Sequence, residues 1–228
     1  MFDCSKEYDM MLQKTVPLSG EDKQYFIRGR LRDLRRQLPA SFNPGRILDF
    51  GCGIGQTTQY LAQLFPTADI IDFDISDKAL AHAQQTYGSA RISFCNLAEF
   101  SRIEAVDLCY ANGVFHHIDP EERLGVIVRI HQALRPGGYF ALFENNPWNP
   151  GTRLVMKRTS FDLDAQPLSP LEAGRRLRDG GFATPYSPRY LFYFPHSLAF
   201  LRFLEPFLCR VPLGGQYYIL AKSVNEQI

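Results

Sequence analysis

Three alternating glycines, Gly51, Gly53 and Gly55, are the residues whose spacing points most directly to chemistry. They follow a short apolar run ending in Asp49-Phe50, which predicts a buried strand, and they precede apolar residues at helical spacing. Glycine has no Cβ, so it adopts unusual backbone angles and lets a ligand lie against the main chain. The amides at the following helix start favour negative charge. The sequence therefore predicts a strand, a glycine turn and a helix that together form a ligand site.

The glycine spacing separates two families of nucleotide-binding protein. The dinucleotide fingerprint G-x-G-x-x-G would place its third glycine at position 56 or 58, where the chain has Gln56 and Thr58. The D-x-G-x-G-x-G run instead resembles motif I of the class I S-adenosylmethionine (SAM) dependent methyltransferases, and the resemblance extends from about Gly45 to the end of the chain. It implies SAM as cofactor, held in this turn by Asp49, Gly51, Cys52, Gly53 and Gly55.

A second group of cofactor residues follows the later strands. Asp74 lies 74 − 53 = 21 positions beyond the central glycine, where the second strand ends beside the first, and the resemblance assigns it to the ribose hydroxyls; Asp72 is the rival. Ile75 would lie against adenine or in the core. The family usually has an acidic residue and a small one after the third strand, and this chain departs from that pattern. The remaining candidates are the pair Asn96-Leu97 for adenine and the main chain at Ala111 and Asn112.

The candidate catalytic residues are His117, its neighbour His116, and Glu144. Histidine titrates near neutrality, so either one could take a proton from a hydroxyl acceptor. The alternative is that one histidine points into the core and the other packs near the methionine end of the cofactor. Glu144, at a predicted strand end, could orient the acceptor or cap the following turn. The histidine pair, with L-R-P-G-G before the fifth strand, resembles the small-molecule branch of the family.

The order of elements predicts an α/β fold. Strands and helices alternate, and the unusual residues follow strand ends, which is typical of a doubly wound parallel sheet with its ligand at the carboxyl ends. We expect seven strands, mostly parallel, with an antiparallel last strand as the resemblance implies. The expected organisation is an N-terminal helical cap over residues 1–44 and a SAM-binding domain over residues 45–228.

Several segments carry more specific expectations. Residues 20–38 form a helix whose arginines, Arg28, Arg30, Arg32, Arg35 and Arg36, lie on a solvated face or on an anionic-substrate surface. Tyr8, Tyr25 and Phe26 are the aromatic candidates over the site. A long helix is expected to begin after Asp119. Residues 139–143 are expected to form the fifth strand, and residues 186–194 the sixth. Residues 151–167 read as a loop or irregular cap, and residues 196–209 as a core or dimer-interface helix.

Composition limits the function classes. The 228 residues carry a formal net charge of +1, which gives no general footprint for nucleic acid. Five cysteines form no C-x-x-C pair and no long apolar run is present, so we expect reduced thiols in a cytoplasmic protein without a membrane span. The prediction is a methyltransferase with a small-molecule acceptor, no metal and a possible homodimer. The alternatives are a protein or peptide methyltransferase and a non-catalytic or NAD-binding relative.

Overall fold

The computed structural model describes residues 20–159, 164–183 and 186–224. Seven strands form one sheet in the order β3-β2-β1-β4-β5-β7-β6. The first five are parallel, and β7 runs antiparallel between β5 and β6. The strands are β1 Arg46–Phe50, β2 Asp69–Phe73, β3 Ile92–Cys95, β4 Val106–Asn112, β5 Leu134–Asn145, β6 Arg189–Leu191 and β7 Gln216–Lys222. The predicted doubly wound, mostly parallel sheet with an antiparallel last strand is thus confirmed.

Helices cover both faces of the sheet. The α-helices are α1 Lys23–Gln37, α2 Thr58–Leu64, α3 Asp77–Tyr87, α4 Leu97–Phe100, α5 Arg123–Ala133, α6 Pro150–Arg158, α7 Pro170–Asp179 and α8 Glu205–Leu208. Two 3-10 segments, Phe115–His117 and His196–Leu204, lie between them. One core packs α1 and α2 against alternate residues of the central strands, and the other packs α5 and α7 against the remaining alternate residues. The strands therefore read as continuous apolar runs because both sheet faces are covered.

The order of the strands in the sheet indicates where a ligand-binding crevice lies. Strand order reverses between β1 and β4, which are neighbours although β2 and β3 come between them in sequence. In open α/β sheets ligands bind outside the carboxyl ends of the strands at such a reversal. Because β7 is antiparallel, its first residue, Gln216, lies beside Asn145 at the end of β5. The site edge therefore collects residues from β1, β4, β5 and the start of β7.

Some predicted element boundaries are wrong. Helix α5 begins at Arg123, because Asp119 accepts a hydrogen bond from the amide of Glu121 in a turn that precedes the helix. Residues 150–158 are helical, where a loop was expected. Asn149 caps that helix by accepting from the amide of Thr152, and Pro150 occupies its first turn, a start signal that the sequence does contain.

Two strands also differ from expectation. Strand β5 starts at Leu134 and so includes the Pro-Gly-Gly stretch that was expected to separate helix from strand. Strand β6 covers only residues 189–191, because Phe192 adopts a positive φ of 63° that ends it.

The apolar segment at residues 196–208 is not a core helix. It forms the second 3-10 segment and α8, and neither contains a buried residue. Phe200, Phe203 and Phe207 are 70%, 68% and 81% exposed, so the core interpretation is wrong and the dimer interface stays a prediction.

Candidate functional site

The glycine turn after β1 has the backbone that the sequence predicted. Gly51, Gly53 and Gly55 have φ of 77°, 56° and 76°, in the region that side chains with a Cβ disfavour. A Cβ on Gly51 would lie 2.3 Å from Cγ2 of Val114. The amides of Gly51 and Cys52 both donate to the carbonyl of Phe73, at 2.8 and 2.9 Å. The turn is thus held against the end of β2, and its close approach to the loop after β4 leaves room only for glycine.

Asp74 lies at the end of β2 and contacts the glycine turn. Its Oδ2 accepts from the amide of Gly53 at 2.8 Å, and its Oδ1 accepts from the amide of Ser76 at 2.9 Å. The carboxylate is partly exposed, so each oxygen retains acceptor capacity. Its assignment to the ribose hydroxyls stays a prediction, as does that of Ile75, which is 77% exposed.

The proposed adenine residues start a short helix. Asn96 caps α4: its side-chain carbonyl accepts from the amide of Ala98 at 3.1 Å, and its side-chain amide donates to Asp77 at 3.3 Å. Leu97 follows it and is 62% exposed. An adenine contact through the Asn96 carbonyl would therefore share an oxygen with the helix cap.

A cavity of about 630 Å³ opens at the carboxyl edge of the sheet. It lies between the glycine turn, the ends of β4 and β5, helices α1 and α6, and the segment after β6. Six of the sequence-predicted site residues line it: Asp49, Gly51, Cys52, Asn112, His116 and His117. The other eight do not line it: Gly53, Gly55, Asp74, Ile75, Asn96, Leu97, Ala111 and Glu144.

Buried polar atoms without partners mark the cavity floor. Among the described residues, Oδ2 of Asp49 and Oδ1 of Asn112, both on lining residues, have no hydrogen-bond partner, and Oδ1 of Asp72 has none either. Burial raises the pKa of Asp49, with the charge of Asp72 as a second cause, and burial raises the pKa of Asp72 to about 7. An unpaired buried acceptor costs roughly 1–3 kcal/mol. These atoms therefore fit a ligand that brings hydrogen-bond donors, and the SAM ammonium group is such a donor.

Cys52 lines the same floor but is a poor nucleophile. Burial raises the pKa of its thiol well above the usual range, and the carboxylates of Asp72, Asp49 and Asp74 raise it further. Its side chain is therefore a neutral thiol that lines the cavity beside the glycine turn.

His116, which lines the cavity, forms a buried pair with Glu144. His116 Nδ1 lies 2.6 Å from Glu144 Oε2, and the other carboxyl oxygen, Oε1, accepts from the amide of Phe115 at 2.8 Å. Glu144 is fully buried and His116 is 4% exposed, whereas His117 is exposed and its ring contacts that of His116 at a tilt, with centroids 4.2 Å apart. A carboxylate only accepts hydrogen bonds, and with the shared proton on Nδ1 the Nε2 atom of His116 is left as the basic nitrogen. Both carboxyl oxygens of Glu144 have partners at residues 115 and 116 and, within the described residues, none in the turn that follows β5.

Arg30 is a site residue that the sequence interpretation misplaced. It is 6% exposed and lines the cavity, so the solvated-face interpretation is wrong for this arginine. Its Nε donates to the hydroxyl of Tyr110 and its Nη1 to Oε1 of Gln216, each at 3.0 Å. Helical spacing puts it beside Ile27 and Leu34 on the buried face of α1, a signal present in the sequence.

An aromatic wall of the cavity is a second feature that sequence reasoning found only in part. Tyr25 and Phe26 of α1 line the cavity, as does Phe192 just after β6. Phe192 carried no signal of its own in the sequence, because its place depends on contacts with α1. Tyr8 lies outside the described residues.

Within the described ranges, no three His, Cys, Asp or Glu residues are grouped to hold a metal ion. No helix of those ranges has the length and apolar character that crossing a membrane requires.

The fold and the glycine turn define the class of domain. A seven-stranded sheet in this order, with the glycine turn at the strand reversal and an antiparallel β7, is the class I SAM-dependent methyltransferase fold, and SAM is the cofactor of that class. A SAM-dependent methyltransferase from Archaeoglobus fulgidus superposes with a TM-score of 0.62, covering 88% of this chain and all of that one at 17% identity. At this identity the likeness shows the fold alone.

Sequence comparisons agree with the fold. Residues 48–140 match a family described as a methyltransferase domain, so the chain contains a methyltransferase domain of the SAM-dependent class. A trans-aconitate 2-methyltransferase from Variovorax paradoxus is 34% identical over 134 residues, 58% of this chain and 51% of that protein. One from Rhizobium meliloti is 29% identical over 154 residues, 68% of this chain and 58% of that protein. The chain spans little more than half the length of these curated relatives.

Proposed function

We propose that this protein transfers the methyl group of SAM to a hydroxyl of a small-molecule acceptor, with His116 as general base and Glu144 as its orienting partner. The buried His116–Glu144 pair at the cavity wall is the observation that carries the proposal. A histidine fixed in one tautomer by a carboxylate presents its second nitrogen as a proton acceptor. The cofactor residues predicted from the sequence converge on the same edge of the sheet.

The cavity floor suits the two charged ends of the methionine part of SAM. Asp49 Oδ2 and Asn112 Oδ1 would accept from the ammonium group. Arg30 uses two of its N–H groups on Tyr110 and Gln216 and has others with which to bind the carboxylate. Asp74 would accept from the ribose hydroxyls while keeping the glycine turn in place.

In this reaction the protein mainly positions the two reactants. When bound, SAM supplies a methyl group on positively charged sulfur, so the C–S bond breaks with its electron pair on sulfur as the acceptor oxygen takes the methyl. Residues of the cavity align the acceptor and exclude water, which lowers the barrier by fixing the reacting geometry. Nε2 of His116 takes the hydroxyl proton, and Glu144 stabilises the resulting imidazolium.

The alternatives of other classes are less well supported by the site. A peptide acceptor would need an open groove, whereas α1, α6 and the segment after β6 border this cavity beside the sheet edge. The thiols of four described cysteines form no disulfide: Cys52, Cys95, Cys109 and Cys209. This supports the cytoplasmic location expected from the sequence.

Trans-aconitate is one acceptor to test, because the sequence relatives reported above are trans-aconitate 2-methyltransferases.

Ligand binding tests the first half of the proposal. Calorimetric titration of the purified protein with SAM, S-adenosylhomocysteine and NAD should show binding of the first two. Binding of NAD in their place would contradict it. Transfer of labelled methyl would then be screened over small hydroxyl compounds, trans-aconitate and a peptide pool.

The two histidines provide a matched pair for the second half. With any acceptor that is turned over, His116→Gln should lower kcat about 10²- to 10⁴-fold and leave the SAM affinity unchanged. His117→Gln should have a much smaller effect, because His117 is exposed and is not the residue paired with Glu144. Equal losses in the two variants would rule out the base assignment.

A further inference from the structure

One wall of the cavity is built from three rings, those of Tyr25, Phe26 and Phe192. Phe26 and Phe192 meet edge to face with centroids 4.9 Å apart, and Tyr25 contacts both, at 5.3 Å from Phe26 and 5.7 Å from Phe192. All three rings line the cavity and are only partly buried. They pack against one another and still present surface to the space where the acceptor must lie.

This wall is fixed in place by backbone and charge. Phe192 has a φ of 63°, which is costly for a residue with a Cβ. Its ring lies so close to α1 that a Cβ on Gly29 would be 2.6 Å from Cε1. Arg202 lies 4.4 Å above the Tyr25 ring and donates to Glu21 at 2.7 Å. The rings are therefore held before any acceptor arrives, and strain of this kind is typical of ligand clamps.

The charges of the lining leave little for an anionic acceptor. Within the described ranges, the lysine and arginine side chains that line the cavity are Lys23 and Arg30, and the carboxylates are those of Glu21 and Asp49. Arg30 is committed to Tyr110 and Gln216 and, in the proposed function, to the carboxylate of SAM. Burying an anion without a partner is costly. Besides Arg30, the described lining holds one further lysine or arginine, Lys23, which is fewer than an acceptor with several carboxylates would need.

The side of the cavity formed by α6 carries apolar side chains among hydroxyls. Val155 and Met156 line it together with Thr152 and Thr159, and Met156 is 7% exposed. A thioether adapts to the edge of a ring and contacts it favourably. The acceptor space thus has rings on one side, aliphatic, thioether and hydroxyl groups on another, and His116 in its lining.

We infer that the acceptor is an uncharged planar aromatic compound with a ring hydroxyl, which packs against the Phe26–Phe192 pair and directs its oxygen to His116. This inference rests on the proposed function and names its substrate class. Aromatic rings prefer edge-to-face or offset contacts with other rings, and a hydroxyl attached directly to the ring provides the methylated oxygen.

Two probes of equal size separate aromatic recognition from simple apolar burial. 2-Naphthol and decahydro-2-naphthol share their carbon skeleton and hydroxyl, and only the first is planar and aromatic. Binding of each to the protein saturated with S-adenosylhomocysteine should favour 2-naphthol by about tenfold, with trans-aconitate binding weaker than both. Labelled SAM should methylate 2-naphthol. Equal affinity for the two skeletons, or preferential binding of trans-aconitate, would overturn the inference while S-adenosylhomocysteine binding still supported the proposed function.

Variants locate the ring contact. Phe26→Leu should weaken 2-naphthol binding about three- to tenfold and leave the affinity for S-adenosylhomocysteine and for decahydro-2-naphthol within about twofold. Tyr25→Leu provides a second variant should the first fail to fold. Phe200→Leu is the control, because Phe200 is 70% exposed and does not line the cavity. Unchanged 2-naphthol binding in both wall variants would show that the rings do not hold the acceptor. A wild-type protein that binds no S-adenosylhomocysteine would instead overturn the proposed function.

Discussion

Asp49 and Asp72 are register partners on the neighbouring strands β1 and β2, and both carboxyl groups are buried on the same face of the sheet. Only Asp72 has a side-chain partner in the described structure, the hydroxyl of Thr58 at the start of α2. Burial raises the pKa of Asp72 to about 7 and raises that of Asp49 as well. The glycine turn after β1 therefore lies beside two buried carboxyl groups whose pKa values are both raised by burial.

This pair predicts a specific pH dependence of stability. A carboxyl group whose pKa is higher in the folded chain than in the unfolded chain holds its proton more tightly when folded. Its contribution is therefore lost as pH rises from about 4 to about 7. Asp72→Asn removes the ionisation and keeps an acceptor for Thr58. We expect this variant to have a higher Tm than the wild type at pH 8, where its free energy of unfolding should be larger by up to ~4 kcal/mol. The difference between the two proteins should disappear towards pH 4.

Asp69→Asn is the matched control for this measurement. Asp69 begins the same strand and is exposed, so its substitution should leave the pH profile of Tm as in the wild type. A profile for Asp72→Asn that parallels the wild type from pH 4 to pH 8 would exclude Asp72 as the titrating group.

Two glycines should respond to alanine in opposite directions. Gly51→Ala places a Cβ at positive φ and against Val114, so it should destabilise the fold by about 1–3 kcal/mol and weaken SAM binding. Gly125→Ala lies inside α5 with open space around the new Cβ, so it should stabilise the fold by about 0.5–1 kcal/mol. Urea unfolding measures both. A neutral Gly51→Ala would show that the turn tolerates a side chain.

The ribose assignment predicts a loss of SAM affinity in Asp74→Ala. Removal of charged hydrogen bonds worth about 1.5–3 kcal/mol should weaken SAM binding roughly tenfold to hundredfold, as calorimetry would show. Asp74→Asn should lose less, because its carbonyl still accepts from one of the two amides that the carboxylate holds. The same SAM dissociation constant in Asp74→Ala and the wild type would show that another residue binds the ribose.

The cap should close locally, not as a whole helix. The Asp33 carboxylate of α1 receives two hydrogen bonds from Arg189 at 2.9 Å and one from the Tyr218 hydroxyl at 2.7 Å. These contacts anchor the middle of α1 to the sheet. Hydrogen exchange with and without S-adenosylhomocysteine should therefore change at residues 20–26, 150–159 and 192–196, which line the cavity, and little at residues 31–37.

The interior of the sheet provides the internal reference for this exchange experiment. Strand β5 should be equally protected in both states, because it is paired on both sides. Equal protection of the cavity-lining segments in both states would count against closure.

Local sequence was sufficient for the glycine turn and for the order of elements. Gly51 and its two companions can adopt the positive φ that the turn needs, and the apolar periods before and after them define a strand and a helix within a few residues. The sequence also placed Asp74 at the end of β2, because chain length and strand geometry alone determine where that strand stops. The Asn149-Pro150 pair is an equally local signal for the start of a helix.

Tertiary structure decided which of these residues act together. Glu144 lies 28 positions from His116, and Arg30 lies 80 from Tyr110, so no local pattern distinguished His116 from His117 or a buried arginine from its solvated neighbours. Phe192 reaches the site only because its backbone turns against Gly29 of a distant helix. Burial and pairing depend on which segments the folded sheet brings together, and those contacts join residues far apart in the chain.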